Sequence, residues 1–241
     1  MGWFSSACSS IGSAFSSACS AVGGAISSAF GSVTSTFSNA ISNIGSVLST
    51  ASTILSALSV AMPHIAKIAA IVDIALTILN LQDQDENVEE IGEKVLEGYA
   101  QDIKPADFSS YDEYIAVIRN IKLDPEKSDK FNQGEKIAAG ITVQSWGVEE
   151  KYGKGSSDFI AHILNDAPKL AKGEGYFTES RVQNVLDKIK SVADVAKYFS
   201  NKLNADDDNR VEQHLVKAEQ DLNPDKSVDD IYQELDQHRK D

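Results

Sequence analysis

From residue 3 to residue 57, apolar residues recur with a period of eleven. Cut at that interval, the segment aligns as WFSSACSSIGS, AFSSACSAVGG, AISSAFGSVTS, TFSNAISNIGS and VLSTASTILSA. The third position is always Ser (Ser5, Ser16, Ser27, Ser38, Ser49) and the fifth always Ala (Ala7, Ala18, Ala29, Ala40, Ala51). Eleven residues close three helical turns at about 3.67 residues per turn, near the native 3.6. The period therefore predicts helix, with positions two, six and nine on one stripe. Phe4, Cys8, Ile11, Phe15, Cys19, Val22, Ile26, Phe30, Val33, Phe37, Ile41, Ile44 and Leu48 fall on it. The opposite face is Ser, Thr, Asn and Gly, and no charged residue precedes Lys67. A surface helix of a soluble protein would carry Lys and Glu there.

After the repeats the pattern becomes more apolar. Residues 54–81 read ILSALSVAMPHIAKIAAIVDIALTILNL. Pro63 is expected to start a new helix over 64–81, since proline suits a first turn and breaks an interior. The run from Ile65 to Leu81 lies at the lower length limit for a bilayer span, and two readings stand open. Lys67 and Asp73 are either intramembrane charges, or Lys67 snorkels from a buried helix of a soluble domain whose Asp73 is paired.

At Gln82 the pattern changes to ordinary amphipathic helices with charged outer faces. Asn87 with Glu90, Ser110 with Glu113, Ser180 with Gln183 and Ser227 with Asp230 have N-terminal cap spacing. Helices are predicted from Asn87 to about Ala100, after Ser110, from about Ser128 to Lys151, and from Asp158 to Ala167 with Pro168 as the stop. Further helices follow Ser180 and lie near 192–203, 207–221 and 227–238. Gly147, Gly153, Gly155, Gly173 and Gly175 read as loop or helix-end glycines. The expected fold class is all-α. Residues 1–82 form an uncharged amphipathic helical region, and residues 83–241 an acidic soluble helical domain able to fold alone.

Charge sharpens that division. The 241-residue chain has net charge −14. Residues 1–81 hold one Lys and one Asp, so the entire excess lies beyond the boundary. Such acidity argues against nucleic acid as a partner, because phosphate binding needs clustered Lys and Arg. Cys8 and Cys19 sit about 16 Å apart on one helix, beyond disulfide reach, and read as small apolar stripe residues. The four histidines are scattered, without zinc spacing, and no nucleophile elbow or phosphate-binding loop occurs. Asp206, Asp207 and Asp208 lack the glycine and terminal glutamate of a calcium loop and read as an acidic first turn. Glu149 and Glu150 read as a solvated pair. The chain is expected to be non-enzymatic and to need no cofactor.

An uncharged Ser/Ala/Gly-rich amphipathic array, the apolar segment 54–81 and an acidic helical tail resemble, in organisation, small pore-forming antibacterial effectors delivered by type VI secretion. The resemblance implies export without a Sec signal peptide, which fits the absence of a basic start and a clustered apolar core at the N-terminus. It also implies action at a target cell's inner membrane, and a cognate immunity protein or secretion-apparatus partner in the producer.

Three readings suit the repeats. One is a self-assembling ion pore, with Ser16, Ser27, Ser38 and Ser49 toward water and the stripe (Phe4, Ile11, Phe15, Val22, Ile26, Phe30, Val33, Phe37, Ile44, Leu48) toward lipid. A second is a peripheral helix lying flat on a lipid surface. The third is a structural homo-oligomer or filament built on a right-handed eleven-residue seam. An unbroken repeat helix would be about 80 Å long against a bilayer core of about 30 Å. A pore therefore requires hinges, expected at Gly23-Gly24 and at Pro63.

Overall fold

The computed structural model describes Ala51, Ile54, Leu58, residues 64–123 and residues 130–240. The stripe from Phe4 to Leu48, the serines Ser16, Ser27, Ser38 and Ser49, and the hinge positions Gly23, Gly24 and Pro63 lie outside the described residues. Among the described residues every regular element is helical.

Helix α1 (Ile65–Ile78) follows His64 as its N-cap. It is the central element, in contact with four later helices: α2 (Val88–Ala100), α4 (Gln133–Tyr152), α5 (Asp158–Asn165) and α7 (Glu179–Lys188). Ile68, Ile71, Val72, Ala75 and Leu76 are fully buried. Each large aliphatic among them is worth about 1.5–3 kcal/mol of burial. The helix ends before the expected Leu81. Asn80 takes a left-handed φ of 51°, and Leu81 N–H donates back to Leu76 O at 3.0 Å, a Schellman ending that satisfies an orphan carbonyl. Asp102 and Asn201 end their helices in the same way, with φ of 65° and 54°.

α2 and α4 form the most closely packed pair. They cross through glycine on both sides: a Cβ on Gly92 would stand 1.7 Å from Lys136 O, and one on Gly140 would stand 1.9 Å from Val88 O. α4 is buried continuously from Gly134 to Val148. Gly147, read as a loop or helix-end glycine although within the helix expected to Lys151, lies inside this helix with the Tyr111 ring packed against its bare Cα. α3 (Tyr111–Arg119) closes over α4 through Tyr111 and Tyr114, whose rings meet Trp146 at 5.6 and 5.9 Å.

The remaining helices are α6 (Ala167–Lys172), α8 (Val192–Phe199), α9 (Ala205–Leu222) and α10 (Val228–Lys240). Pro168 does not stop α5 but occupies the first turn of α6, where its missing N–H costs nothing. α7 is capped by Thr178, which accepts from Arg181 N–H at 3.4 Å, rather than by Ser180. Three other expected caps are present: Asn87 to Glu90, Ser110 to Glu113, and Ser227 to Asp230. The Asp206–Asp208 run forms the first turn of α9. Phe159, Tyr176, Phe177 and Phe199 make a second aromatic layer around His162. Burial pushes that imidazole down to about 4, so it sits neutral, with Nε2 3.2 Å from Ala196 O.

Candidate functional site

Of the membrane, pore and hinge candidates named from the sequence, Lys67 and Asp73 fall among the described residues, and the fold separates them. Lys67 is exposed, with no ion-pair partner among the described residues; Asp73 is half-buried on the side facing the α1–α2 connection. Its Oδ1 accepts from Gln82 Nε2 and from Val88 N–H, both at 2.8 Å. Gln82 also donates to Glu86 O at 2.7 Å. One carboxylate oxygen thus pins the loop that turns the chain from α1 into α2.

Two cations complete the latch. Arg119 donates through Nε and Nη2 to Glu86 at 2.8 and 2.7 Å, and through Nη2 to Leu81 O at 3.1 Å. Lys151 Nζ reaches Leu79 O and Asn80 O at 3.2 and 2.9 Å, and Tyr152 Oη donates to Leu79 O at 2.7 Å. The open carbonyls and negative dipole end of α1 therefore face positive charge from α3 and α4, the stabilising arrangement for a helix C-terminus.

Asp73 walls two shallow grooves. One, of about 370 Å³, runs between the small face of α1 (Ala66, Ala69, Ala70) and Asn87, Glu89, Glu90 and Glu93 of the α2 start. The other, of about 330 Å³, lies between Ile74, Thr77 and Ile78 of α1 and Gln84, Glu86 and Gln183. The glutamates of the first are already engaged. Glu90 pairs with Lys94 at 2.8 Å, Glu93 with Lys136 at 3.0 Å, and Glu89 accepts from Gln133 at 2.9 Å. Among the described residues, no group of three or more His, Cys, Asp or Glu could hold a metal ion. The site can accept hydrogen bonds and fix a loop; it sets no nucleophile against a base.

Sequence reasoning missed Gln82, Glu86, Arg119 and Lys151. Their partners lie up to 72 residues away along the chain, and no local spacing announces such pairs. Glu150 is exposed, as expected of a solvated face, and Glu149 is half-buried, but both also accept backbone hydrogen bonds. Glu149 accepts from Gly155 N–H and Ser157 N–H, and Glu150 from Tyr111 N–H. Compared with protein-family models, curated proteins and solved structures, the chain has no match.

Burial raises Asp73 above the ordinary carboxylate value of 3.8, against the lowering effect of its two hydrogen bonds, with Glu89 adding to the rise. The folded state therefore binds this proton more readily than the unfolded one. That cost of charge is absent below 3.8 and grows as pH rises from there through the folded value. Asp73→Asn keeps an oxygen for both donors and removes the charge. Its thermal midpoint at neutral pH is expected to equal or exceed that of the wild type, with the two converging below the ordinary carboxylate range. A midpoint several degrees lower at neutral pH would show that the anion itself holds the loop.

Proposed function

We propose that this chain permeabilises a membrane to small ions, with residues 3–57 as the membrane-active part and the helical body as the fold that carries them. The eleven-residue repeat carries the reading: an apolar stripe opposite an uncharged hydroxyl face, sustained over five units. Such a face suits a wet path without a strong charge barrier, and small Ala and Gly edges suit close helix contact in lipid. One observation on the body supports it. Ala51 and Ile54, from the last repeat unit, and Leu58 just after it are fully buried in the body's core, so the array has a rigid anchor. No helix among the described residues is long and apolar enough to cross a membrane; this reading assigns insertion to the repeats and leaves Lys67 and Asp73 with the body. The chain acts without enzymatic chemistry, as a self-assembling, lipid-dependent effector exported from the cytoplasm by a route other than Sec. An immunity protein or secretion-apparatus partner in the producer completes the proposal.

Dye release from vesicles by the full chain tests it. Phe15→Ser together with Phe37→Ser removes two apolar anchors, each worth up to about 3 kcal/mol of burial. The double variant is expected to lose at least about tenfold in release. Vesicle binding without release would favour a peripheral lipid-surface protein. Large particles in lipid-free buffer, without vesicle binding, would favour a structural oligomer. Either result sinks the permeabilising reading.

A further inference from the structure

The last described helix is held with little buried apolar surface for its length. α2 and α10 are both thirteen residues long. α2 buries Val88, Ile91, Val95 and Leu96 along with two glycines, whereas α10 buries only Ile231 and Leu235 among its apolar side chains, and leaves Val228 and Tyr232 exposed. Charge supplies the rest of the hold. Arg181 of α7 meets Glu234 at 2.8 Å, and Lys226, just before α10, pairs with the same carboxylate. Arg239 grips Asp208 of α9 through both terminal nitrogens at 3.1 and 2.8 Å, and donates through Nε to Asn201 at 3.0 Å. Its guanidinium lies 4.1 Å from the centre of the Tyr198 ring, and the His238 ring stands 4.8 Å from that of Tyr176.

We propose that α10 is a detachable strap, which lifts as a unit from α7, α8 and α9 while the rest of the body stays folded. These ion pairs are largely buried, and both partners regain hydration when they separate, which offsets much of their mutual attraction. Buried aliphatic contacts regain nothing of that kind, and α10 has two. A helix with few buried apolar contacts opens below the global unfolding limit. The connection from Asn223 to Ser227 lies between two helices and can swing without breaking either. Lifting uncovers a trough floored by Tyr176 and Tyr198, with Arg181 and the fully buried Glu219 at its wall.

Native-state hydrogen exchange on the full chain in dilute denaturant tests the strap. Amides of α10 are expected to exchange at least about tenfold faster than those of α2 and α4, as sub-global opening requires. In Glu234→Gln/Arg239→Gln, α10 alone accelerates further, by about tenfold or more, because Arg181 and Asp208 each lose the α10 charge that offsets their own desolvation in the closed state. If α10 exchanges in step with α2 and α4 in the wild type, it opens only with the whole protein and the strap is wrong. That comparison stands even where the double variant does not fold. Equal acceleration of α2 and α4 in a folded double variant overturns it too.

Discussion

Gly92→Ala and Gly140→Ala are each expected to cost about 3 kcal/mol or more, at or above the usual upper range for overpacking. At both positions the obstacle is backbone rather than a side chain that could turn away. The new methyl would stand 1.7 Å from Lys136 O or 1.9 Å from Val88 O, about half of a normal carbon–oxygen contact. Relief requires α2 and α4 to separate along the body's closest helix pair. That opens gaps beside Val88, Ile91, Ile137 and Ile141, all essentially buried, and even a gap of an ångström forfeits much of the dispersion there. Against a total stability of about 5–15 kcal/mol for an ordinary domain, the loss approaches unfolding. Gly153→Ala is the control. Its φ of 91° and ψ of 169° lie in a region essentially reserved for glycine, yet nothing lies within 4 Å of the added carbon, so the cost is confined to about 1–3 kcal/mol of backbone strain. Chemical denaturation of the three variants measures the contrast. If Gly92→Ala and Gly140→Ala fall within 1 kcal/mol of the wild type, the helices do not cross as closely as described.

Those glycines mark where sequence reading stops. Asn87, Ser110 and Ser227 were legible as caps because a cap is a local device, written within four residues. Thr178 was not, because Ser180 with Gln183 has the same spacing. The choice depends on Tyr176 and Phe177 turning into the core just before the helix, with Asp166 accepting from Phe177 N–H at 2.9 Å. Pro168 was read as a stop, but proline suits a first turn as well, and here Asp166 ends one helix and begins the next. Gly92 and Gly140 lie 48 positions apart in two unremarkable amphipathic stretches; periodicity shows which face is buried, not how near a partner's backbone comes. Around Asp73 the sequence offered a carboxylate on an apolar run and no means of naming Gln82, Arg119 or Lys151 as the groups beside it.

A fragment beginning at Asp83, the expected domain start, should fail to form a rigid fold, whereas one beginning at Ser49 should succeed. The shorter fragment lacks Ile65, Ile68, Ile71, Val72, Leu76 and Leu79, all buried against later helices. At about 1.5–3 kcal/mol each, their loss totals on the order of 10 kcal/mol, comparable with the whole stability of a domain this size. It also strips Arg119, Lys151 and Tyr152 of the carbonyls of Leu79, Asn80 and Leu81. The shorter fragment is expected to keep much of its far-ultraviolet dichroism, lose the near-ultraviolet signal of Trp146 and its tyrosine neighbours, and unfold without a cooperative transition. Cooperative unfolding of residues 83–241 with an intact near-ultraviolet spectrum would show that α1 is dispensable and that the charge boundary at Gln82 is also a folding boundary. The physical reason to expect otherwise is that a helix in contact with four others can carry few charges, since each buried charge needs a partner. α1 therefore shares the uncharged composition of the repeats, while its packing joins it to the acidic helices that follow.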